Sequence, residues 1–265
     1  MTKLRLAING AAGRMGQRLV ALGHAESGLE IAAALEYSGC PRLGADAGVV
    51  AGVGEIGVTL TSELDTQVDV VIDFSVPASA VGMAELCVSR QLPLVMATTG
   101  LTETQQKTLA AAAHNIPLVW APNMSVAVNL TMKLATIAAA ALKNNPTGAD
   151  VEVIERHHRF KEDAPSGTAL RFGELIAGEM GQTKHQHGRE GLIGQRPHNE
   201  IGYHALRVGD NPGEHTIVFG LMGETIELTV RATNRDSYAL GALEAARFAA
   251  KKGPGHYTMY DVLGL

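Results

Sequence analysis

The sequence lacks long hydrophobic runs and has no excess of positive charge. Its longest apolar stretch, Leu134 to Leu142, is shorter than the ~20 residues that a membrane-spanning helix needs. The first apolar stretch already stops at Gly10, too early for a signal peptide. Basic residues number 22 and acidic residues 27, so no surface for nucleic acid or an anionic membrane is expected. These absences predict a cytoplasmic protein with neither partner.

Cysteine is also scarce. Cys40 and Cys87 lie far apart and form neither a disulfide framework nor a CxxC metal or redox pair. Apolar residues make up 46% of the chain, which excludes intrinsic disorder. The 265 residues are enough for one large domain or two ordinary ones.

Short apolar runs alternate with helical patterns in the first half of the chain. Continuous apolar strands joined by helices indicate a parallel sheet covered on both faces. The segment from Gly39 to Gly57 is rich in glycine and is expected to be a flexible loop with at most short elements. The predicted strands are Leu4–Asn9, Leu29–Leu35, Val68–Phe74, Leu92–Ala97 and Leu118–Ala121, and the predicted helices are Arg14–His24, Ala78–Arg90 and Glu103–His114.

The pattern changes after about Ser125. An Ala-rich helix over Val126–Lys143 is followed by strands that alternate aliphatic and polar residues, as in Ile226–Arg231. A last helix is predicted over Ser237–Lys252, with an Ala-rich face that can return to the first domain. We therefore predict an α/β protein. It has a Rossmann-type parallel-sheet dinucleotide-binding domain (1–125 with 236–265) and an α+β substrate and oligomerisation domain (126–235) with a mostly antiparallel or mixed open sheet.

A glycine-rich turn, Gly10-Ala11-Ala12-Gly13-Arg14-Met15-Gly16, stands between the first strand and the first helix. Glycines at such a turn let backbone amides approach a pyrophosphate, and the helix N-terminus adds partial positive charge. Glu36 ends the next apolar strand, twenty residues after Gly16, where a carboxylate can bind the adenosine ribose. Strand, turn, helix, strand and acid in this order predict dinucleotide binding.

The residue after Glu36 bears on the choice between NADH and NADPH. A 2′-phosphate needs a cation beside Glu36, but Tyr37 stands there, although Arg14 and Arg42 can still approach. We therefore expect NADH to be favoured, with NADPH still accepted.

A dense polar segment follows a strand in the second half, from Glu155 to Thr168. Histidine and lysine side chains supply positive charge and transferable protons near neutral pH. The turn Ser166-Gly167-Thr168 at a helix start offers amides and a hydroxyl to a carboxylate. Together these features indicate a site for a small dianionic substrate that must be protonated, although a solvated charged loop would have similar spacing.

Metal binding is not expected at either histidine pair. His157 and His158 are adjacent, so on a strand they point to opposite faces. His185 and His187 have chelating spacing but are expected to lie in a polar surface loop.

The segment Glu155-Arg156-His157-His158-Arg159-Phe160-Lys161-Glu162-Asp163-Ala164-Pro165-Ser166-Gly167-Thr168-Ala169 resembles the signature of the dihydrodipicolinate reductase family. Further segments that resemble this family occur in order: Gly10–Gly16, Asp73–Pro77, Ala97–Gly100, Ala121–Ser125, Arg207–Asp210 and Gly213–His215. The resemblance spans nearly the whole chain.

The resemblance implies a role for each matching residue. The pyrophosphate would lie on Gly10, Ala11, Ala12, Gly13, Arg14 and Met15, the adenosine ribose on Glu36, and the nicotinamide beside Ala97, Thr98, Thr99, Ala121, Pro122, Asn123 and Met124. His157 and Lys161 would be the catalytic proton donors. The substrate carboxylates would be bound by His158, Lys161, Gly167 and Thr168, and the helix-start reasoning adds Ser166.

The chain departs from the family pattern at four positions. Ala97 replaces a usual glycine and Met124 a frequent phenylalanine, and both changes are small. Val76 stands where arginine can occur, and Tyr37 replaces a frequent basic residue, which puts a strong NADPH preference in doubt.

The resemblance implies NAD(P)H-dependent reduction of 4-hydroxy-tetrahydrodipicolinate to tetrahydrodipicolinate in lysine and diaminopimelate biosynthesis, without a metal and by a homotetramer assembled through the second domain. Two alternatives stay open. One is another nicotinamide-dependent dehydrogenase of aspartate-family metabolism, such as aspartate-semialdehyde or homoserine dehydrogenase. The semialdehyde enzyme would need a reactive thiol at Cys40 or Cys87. The other is a dinucleotide sensor without catalysis.

Overall fold

The computed structural model describes residues 2–265. Two compact units divide the chain: the first runs up to Val126 and also contains Arg235–Leu265, and the second is Ala127–Asn234. The strands are β1 (Leu4–Asn9), β2 (Leu29–Leu35), β3 (Leu60–Thr61), β4 (Val70–Asp73), β5 (Leu94–Met96), β6 (Pro117–Trp120), β7 (Asp150–His157), β8 (Lys184–His187), β9 (Glu200–Arg207), β10 (Glu214–Leu221), β11 (Glu224–Arg231) and β12 (Gly255–Tyr257). The helices are α1 (Arg14–Ala25), α2 (Ala47–Ala51), α3 (Pro77–Arg90), α4 (Glu103–Ala112), α5 (Val126–Leu142), α6 (Gly167–Met180), α7 (Asp236–Ala249) and α8 (Met259–Leu263).

The first unit contains a seven-stranded sheet in the order β12-β6-β5-β4-β1-β2-β3, and its strands pair in parallel. Its two faces are both covered. Leu6 and Ile8 of β1 pack into one core with α1 and α7, and Ala7 of the same strand packs into the other with α3 and α4. The parallel dinucleotide-binding architecture predicted from the sequence is confirmed, and the Ala-rich α7 belongs to this unit.

The segment between Gly39 and Gly57, expected to hold at most short elements, contains the five-residue helix α2. Asp46 caps the short helix α2, and its carboxylate accepts hydrogen bonds from the backbone N–H groups of Gly48, Val49, Ile56, Gly57 and Val58. One carboxylate therefore organises two turns at once, a role that a composition rich in glycine does not reveal.

The second unit contains a five-stranded sheet in the order β11-β10-β7-β9-β8. β11, β10 and β7 pair antiparallel, whereas β7, β9 and β8 pair in parallel. The sheet is therefore mixed, as predicted. Helix α6 packs closely on one face: a Cβ added to Gly173 would come within 1.7 Å of the Tyr203 hydroxyl oxygen. On β7 this face carries Glu155 and His157.

The expectation that His185 and His187 lie in a polar loop is wrong. They belong to the edge strand β8, which pairs with β9 through its backbone. This strand lacks the apolar alternation by which inner strands are recognised in a sequence. The His185 Nδ1 atom lies 2.7 Å from the Tyr203 hydroxyl oxygen, and the His187 ring stacks on the Tyr203 ring. Within residues 2–265 these side chains form no cluster of three or more potential metal ligands.

Helix length bears on the membrane question. Among the described residues, no helix combines the length and the apolar character that crossing a bilayer requires.

Candidate active site

The glycine loop forms a turn that larger residues would block. Gly10 has φ +80°, and a Cβ there would lie 2.7 Å from the carbonyl oxygen of Phe74. A Cβ on Gly16 would lie 2.1 Å from the carbonyl oxygen of Gly10. These close approaches shape the turn between β1 and α1, and a cradle of this kind fits a dinucleotide pyrophosphate.

Glu36 lies next to this loop. Its Oε1 atom accepts a hydrogen bond from the backbone N–H of Ala12 at 2.9 Å. Arg42 also reaches the loop, with its Nη1 atom 3.4 Å from the carbonyl oxygen of Ala12. An acid and a cation therefore both approach the position where an adenosine ribose would lie.

A cavity of about 340 Å³ opens at the end of β2. Glu36 and Tyr37 line it, and the Tyr37 side chain is 65% exposed. Sequence reasoning missed the other residues in its wall, which come from several elements: Asn9, Leu35, Ser38, Ser62, Glu63, Ser79, Gly82 and Met83. The position and polarity of this cavity suit an adenosine group.

A buried carboxylate fixes the loop at Thr98, one of the two loops predicted to lie beside the nicotinamide. Asp73 is fully buried at the end of β4 and accepts hydrogen bonds from Asn9 Nδ2 and from the Thr98 hydroxyl, each at 2.5 Å. The Ser75 hydroxyl also donates to it at 2.9 Å. Asp73 therefore ties together the carboxyl ends of three parallel strands.

The remaining nicotinamide-side residues follow β5 and β6. Ala97 and Ala121 are buried and continue the backbone pairing of the sheet, whereas Thr99 and Pro122 are exposed. Asn123 Oδ1 accepts a hydrogen bond from the backbone N–H of Ser125, and Met124 is buried. All the predicted cofactor residues thus lie in the first unit.

His157 ends β7 and is buried. Its Nδ1 atom lies 2.5 Å from Glu155 Oε2. Arg207 on β9 donates to both oxygens of Glu155, each at 2.8 Å. The Glu155 side chain is thus an ion-paired carboxylate beneath the histidine, and neither Glu155 nor Arg207 had been assigned a role from the sequence.

The surroundings of Glu155 decide its charge. Burial by itself would raise the pKa of this carboxyl, but the hydrogen bonds from His157 and Arg207 outweigh it and hold the pKa at about 2. The same pairing raises the pKa of Arg207. At neutral pH the pair is ionised.

His215 on β10 packs edge-on against His157, with their ring centroids 5.2 Å apart. Burial, followed by the proximity of His157, lowers the pKa of His215 to about 4. Its Nε2 atom lies 3.0 Å from the Ser166 hydroxyl. His215 is therefore neutral at pH 7.

The helix start predicted to bind a carboxylate is present. Ser166 caps α6 by accepting a hydrogen bond from the backbone N–H of Ala169, and its own N–H donates to Glu155 Oε1. Gly167 and Thr168 form the first turn of the helix. The polar atoms of Ser166 are thus engaged within the protein.

Two further predicted residues precede this helix. Lys161 Nζ lies 2.7 Å from Asp163 Oδ1, an ion pair that lowers the pKa of Asp163. His158 follows the end of β7, and its buried Nδ1 atom has no hydrogen-bond partner among residues 2–265. A buried polar atom left unpaired is costly, so a ligand group is a fitting partner for it.

The buried Cys87 does not resemble a catalytic nucleophile. Cys87 is buried in α3, and burial raises its thiol pKa to about 12. Cys40 lies in a turn before α2. A buried thiol that stays protonated at neutral pH is a weak nucleophile, which disfavours Cys87 as the nucleophile of an aspartate-semialdehyde dehydrogenase.

Comparisons with known proteins cover nearly the whole chain. The family model described as "Dihydrodipicolinate reductase, N-terminus" matches residues 4–124, and that described as "Dihydrodipicolinate reductase, C-terminus" matches residues 127–263. A protein of Rhodopirellula baltica named 4-hydroxy-tetrahydrodipicolinate reductase is 56% identical, over 99% of this chain and 96% of its own length. A protein of Alkalilimnicola ehrlichii with the same name is 47% identical, over 98% and 99%.

Similarity extends to a solved structure. The dipicolinate-bound dihydrodipicolinate reductase from Paenisporosarcina sp. TG-14 matches with a TM-score of 0.79 at 26% identity, covering 98% of this chain and 99% of that one.

Proposed function

The chain belongs to the dihydrodipicolinate reductase family and is an oxidoreductase of lysine and diaminopimelate biosynthesis, and we propose how its own residues carry out the reaction. The reaction reduces 4-hydroxy-tetrahydrodipicolinate to tetrahydrodipicolinate with NADH or NADPH and releases water. The observation that carries the proposal is a histidine held against an ion-paired carboxylate, within the family's signature segment.

The first unit binds the dinucleotide. The close approaches at Gly10 and Gly16 leave room for a pyrophosphate, and Glu36 lies beside the cavity assigned to the adenosine. The bound nicotinamide supplies a hydride. Residues Ala97 to Thr99 and Ala121 to Met124 orient its ring, on loops that Asp73 and the sheet hold in place.

The second unit binds the substrate. A dicarboxylate needs cationic groups and N–H donors, and we assign these to His158, Lys161 and the first turn of α6 at Gly167 and Thr168. The relative from Paenisporosarcina is described as dipicolinate-bound, and dipicolinate is a cyclic dicarboxylate, which supports this class of ligand.

A proton must follow the hydride. We assign this proton to His157 or Lys161, because both can carry one near neutral pH. The Glu155 carboxylate stabilises a protonated His157 ring, and Asp163 does the same for the Lys161 ammonium group. The overall balance is one hydride and one proton added to the substrate, with one water lost.

NADH is proposed as the favoured cofactor. Glu36 can accept hydrogen bonds from both ribose hydroxyls but would repel a 2′-phosphate. Tyr37 brings no cation to this position. Arg42 approaches the loop at Ala12 and offsets part of the repulsion, which makes the preference a bias rather than an exclusion.

Assembly is proposed to be a homotetramer formed through the second unit, in the cytoplasm, without nucleic acid, membrane or metal. Its sheet leaves apolar side chains at the surface on the face opposite α6, where Ile154 is 38% and Leu206 41% exposed. Ile217, on the helix side, is buried, whereas Ile226 on β11 is exposed. A second copy that covered the face opposite α6 would remove Ile154 and Leu206 from water.

One assay tests the proposed function. The condensation product of pyruvate and aspartate semialdehyde is supplied, and the oxidation of NADH and of NADPH is followed at 340 nm in separate reactions. Substrate-dependent oxidation is expected. Its absence with both cofactors would contradict the proposal, and aldehyde oxidation sensitive to iodoacetamide would favour the thiol-dependent dehydrogenase instead.

A further inference from the structure

We infer that Glu155 and Arg207 are positioning residues that hold the His157 ring with Nδ1 bound to Glu155 and leave Nε2 to transfer the proton. The inference rests on the proposed function in taking His157 as a proton donor. Neither positioning residue is required to touch the substrate.

All the acceptor positions of the Glu155 carboxylate are used. Oε2 lies 2.5 Å from His157 Nδ1 and 2.8 Å from Arg207 Nη1. Oε1 accepts from Arg207 Nη2 at 2.8 Å and from the backbone N–H of Ser166 at 3.1 Å. Four donors from three separate segments leave this side chain, which is 1% exposed, no freedom to rotate.

This geometry decides which ring nitrogen carries the fixed hydrogen. An ionised carboxylate only accepts hydrogen bonds, so the His157 Nδ1 atom beside it must be the donor. The neutral ring therefore has its lone pair on Nε2, and the protonated ring gives up its proton from Nε2. The carboxylate thus selects one tautomer and stabilises the charge that protonation creates.

The opposite edge of the ring is open because residue 213 is glycine. Gly213 has φ +152°, and a Cβ there would lie 3.0 Å from His157 Nε2 and 3.3 Å from His157 Cδ2. Any larger residue would crowd the nitrogen that has to meet the substrate.

Arg207 extends the arrangement to the second proton donor. Its Nη2 atom also donates to the backbone carbonyl of Asp163 at 2.7 Å. The side chain of Asp163 in turn accepts from Lys161 Nζ at 2.7 Å. One guanidinium group therefore connects the carboxylate beneath His157 to the loop that carries Lys161.

The charged and titratable groups around His157 come from every strand and loop packed against it. Glu155 lies on the same strand, Arg207 on β9, His215 on β10, and Lys161 with Asp163 on the following loop. Burial holds the pKa of His215 at about 4, so this neighbour is neutral and does not repel a proton on His157. Removing the charge of Glu155 would leave the Arg207 guanidinium without its counter-charge beside the ring and make protonation of the ring less favourable.

The test uses Glu155→Gln with Glu152→Gln as a matched control. Glu152 lies on the same strand, and its carboxylate is also ion-paired, to Arg189 and Arg196. It points to the opposite face of the sheet, and among the described residues its carboxylate binds Arg189, Arg196 and His204 rather than His157. For Glu155→Gln we expect kcat to fall at least tenfold, the KM values for NADH and the dicarboxylate to stay within threefold, and the alkaline limb of the kcat–pH profile to move to lower pH. Glu152→Gln should retain the wild-type profile.

A second measurement does not depend on turnover or on the Glu155→Gln variant. Nitrogen-15 spectra of the wild-type protein at high pH, with His157 assigned by difference from His157→Gln, should show the hydrogen on Nδ1. Hydrogen on Nε2 would overturn the inference, as would a Glu155→Gln variant with wild-type kcat and pH profile. Equal losses of kcat in Glu155→Gln and Glu152→Gln would show that Glu155 has only a structural role, and this result would also overturn the inference. A wild-type protein without turnover would contradict the proposed function alone, and the tautomer would still decide this inference.

Discussion

Glu36 accepts a hydrogen bond from the backbone N–H of Ala12 at 2.9 Å, which joins the acid at the end of β2 to the glycine loop. The carbonyl of the same Ala12 lies 3.4 Å from the Arg42 guanidinium. Opposite charges therefore meet at one residue of the loop, and we expect their balance to set the response to a 2′-phosphate on the adenosine ribose.

The first prediction concerns cofactor choice. We expect kcat/KM to favour NADH over NADPH by roughly threefold to a hundredfold, the range of one charge-assisted contact. Tyr37→Arg should narrow the gap, mainly by lowering the KM for NADPH, because it places a cation beside Glu36. Arg42→Met removes the cation that approaches Ala12, and it should widen the difference in kcat/KM between NADH and NADPH. A wild-type preference for NADPH that disappears in Arg42→Met would show that Arg42, and not residue 37, decides the matter.

The second prediction concerns the proton donors. His157→Gln and Lys161→Ala should each lower kcat by roughly a hundredfold or more, the usual scale for a proton-transfer group. The dissociation constant of NADH, measured by fluorescence titration, should change little because the glycine loop lies in the other unit. Near-normal turnover of both variants would refute their assignment.

The third prediction concerns the glycine loop. Gly16→Ala should raise the dissociation constant of NADH at least tenfold and lower the free energy of unfolding by roughly 1–3 kcal/mol, because its Cβ would lie 2.1 Å from the Gly10 carbonyl oxygen. Gly28→Ala is the matched control, since a Cβ at Gly28 meets no atom within 4 Å. Denaturant titration and NADH binding check both variants. Tight NADH binding by Gly16→Ala would contradict the role of the loop.

The fourth prediction concerns acid. The pKa of Glu155 is about 2 in the folded protein, below the ordinary ~4.3 of a free glutamate, so the unfolded chain binds more protons between these values. The contribution of Glu155 to the free energy of unfolding is on the order of 3 kcal/mol. It is fully present above about pH 5 and is lost as the pH falls toward 2. The pKa of His215 is about 4 in the folded protein, below the ~6.5 of a free histidine, so the unfolded chain binds more protons between these values. This difference lowers the free energy of unfolding further as the pH falls from about 6.5 toward 4.

Urea titrations at pH 7, 5, 4 and 3 measure this loss. Glu155→Gln should show a shallower dependence on pH than the wild-type protein. An unfolding free energy that stayed constant from pH 6 to pH 3 would contradict the ionised state assigned to Glu155.

The fifth prediction concerns assembly. Light scattering at micromolar concentration should give a mass near four times 27.8 kDa. Replacing Ile154 and Leu206 by aspartate should lower this mass, because charge would then stand on the exposed sheet face. A wild-type mass of one chain would refute the tetramer.

Sequence patterns located the parts of the molecule that local chemistry determines. The limits of β1 and β2, the turn at Gly10 and the acid at Glu36 follow from apolar runs and glycine spacing within one short stretch. The family resemblance then selected His157 and Lys161, which spacing alone would have left as a solvated loop.

The parts that depend on pairing between distant residues were not accessible in this way. Arg207 meets Glu155 only because β9 lies beside β7, and nothing in the sequence around Arg207 reveals that neighbour. The polar edge strand β8 has no apolar alternation to mark it. Asp46 resembles any loop aspartate until the turns around its carboxylate are known.

The return of α7 to the first unit has a consequence for synthesis on the ribosome. Leu243 and Ala246 of this helix are buried in the same core as Leu6 and Ile8 of β1, and Arg18 of α1 pairs with Asp236. The N-terminal strands therefore emerge long before the helix that completes their core. The second unit, which is continuous in sequence, has all its residues available earlier. The unit that is begun first is thus the one finished last, and a chain that stalls before Asp236 leaves its dinucleotide-binding half without a complete interior.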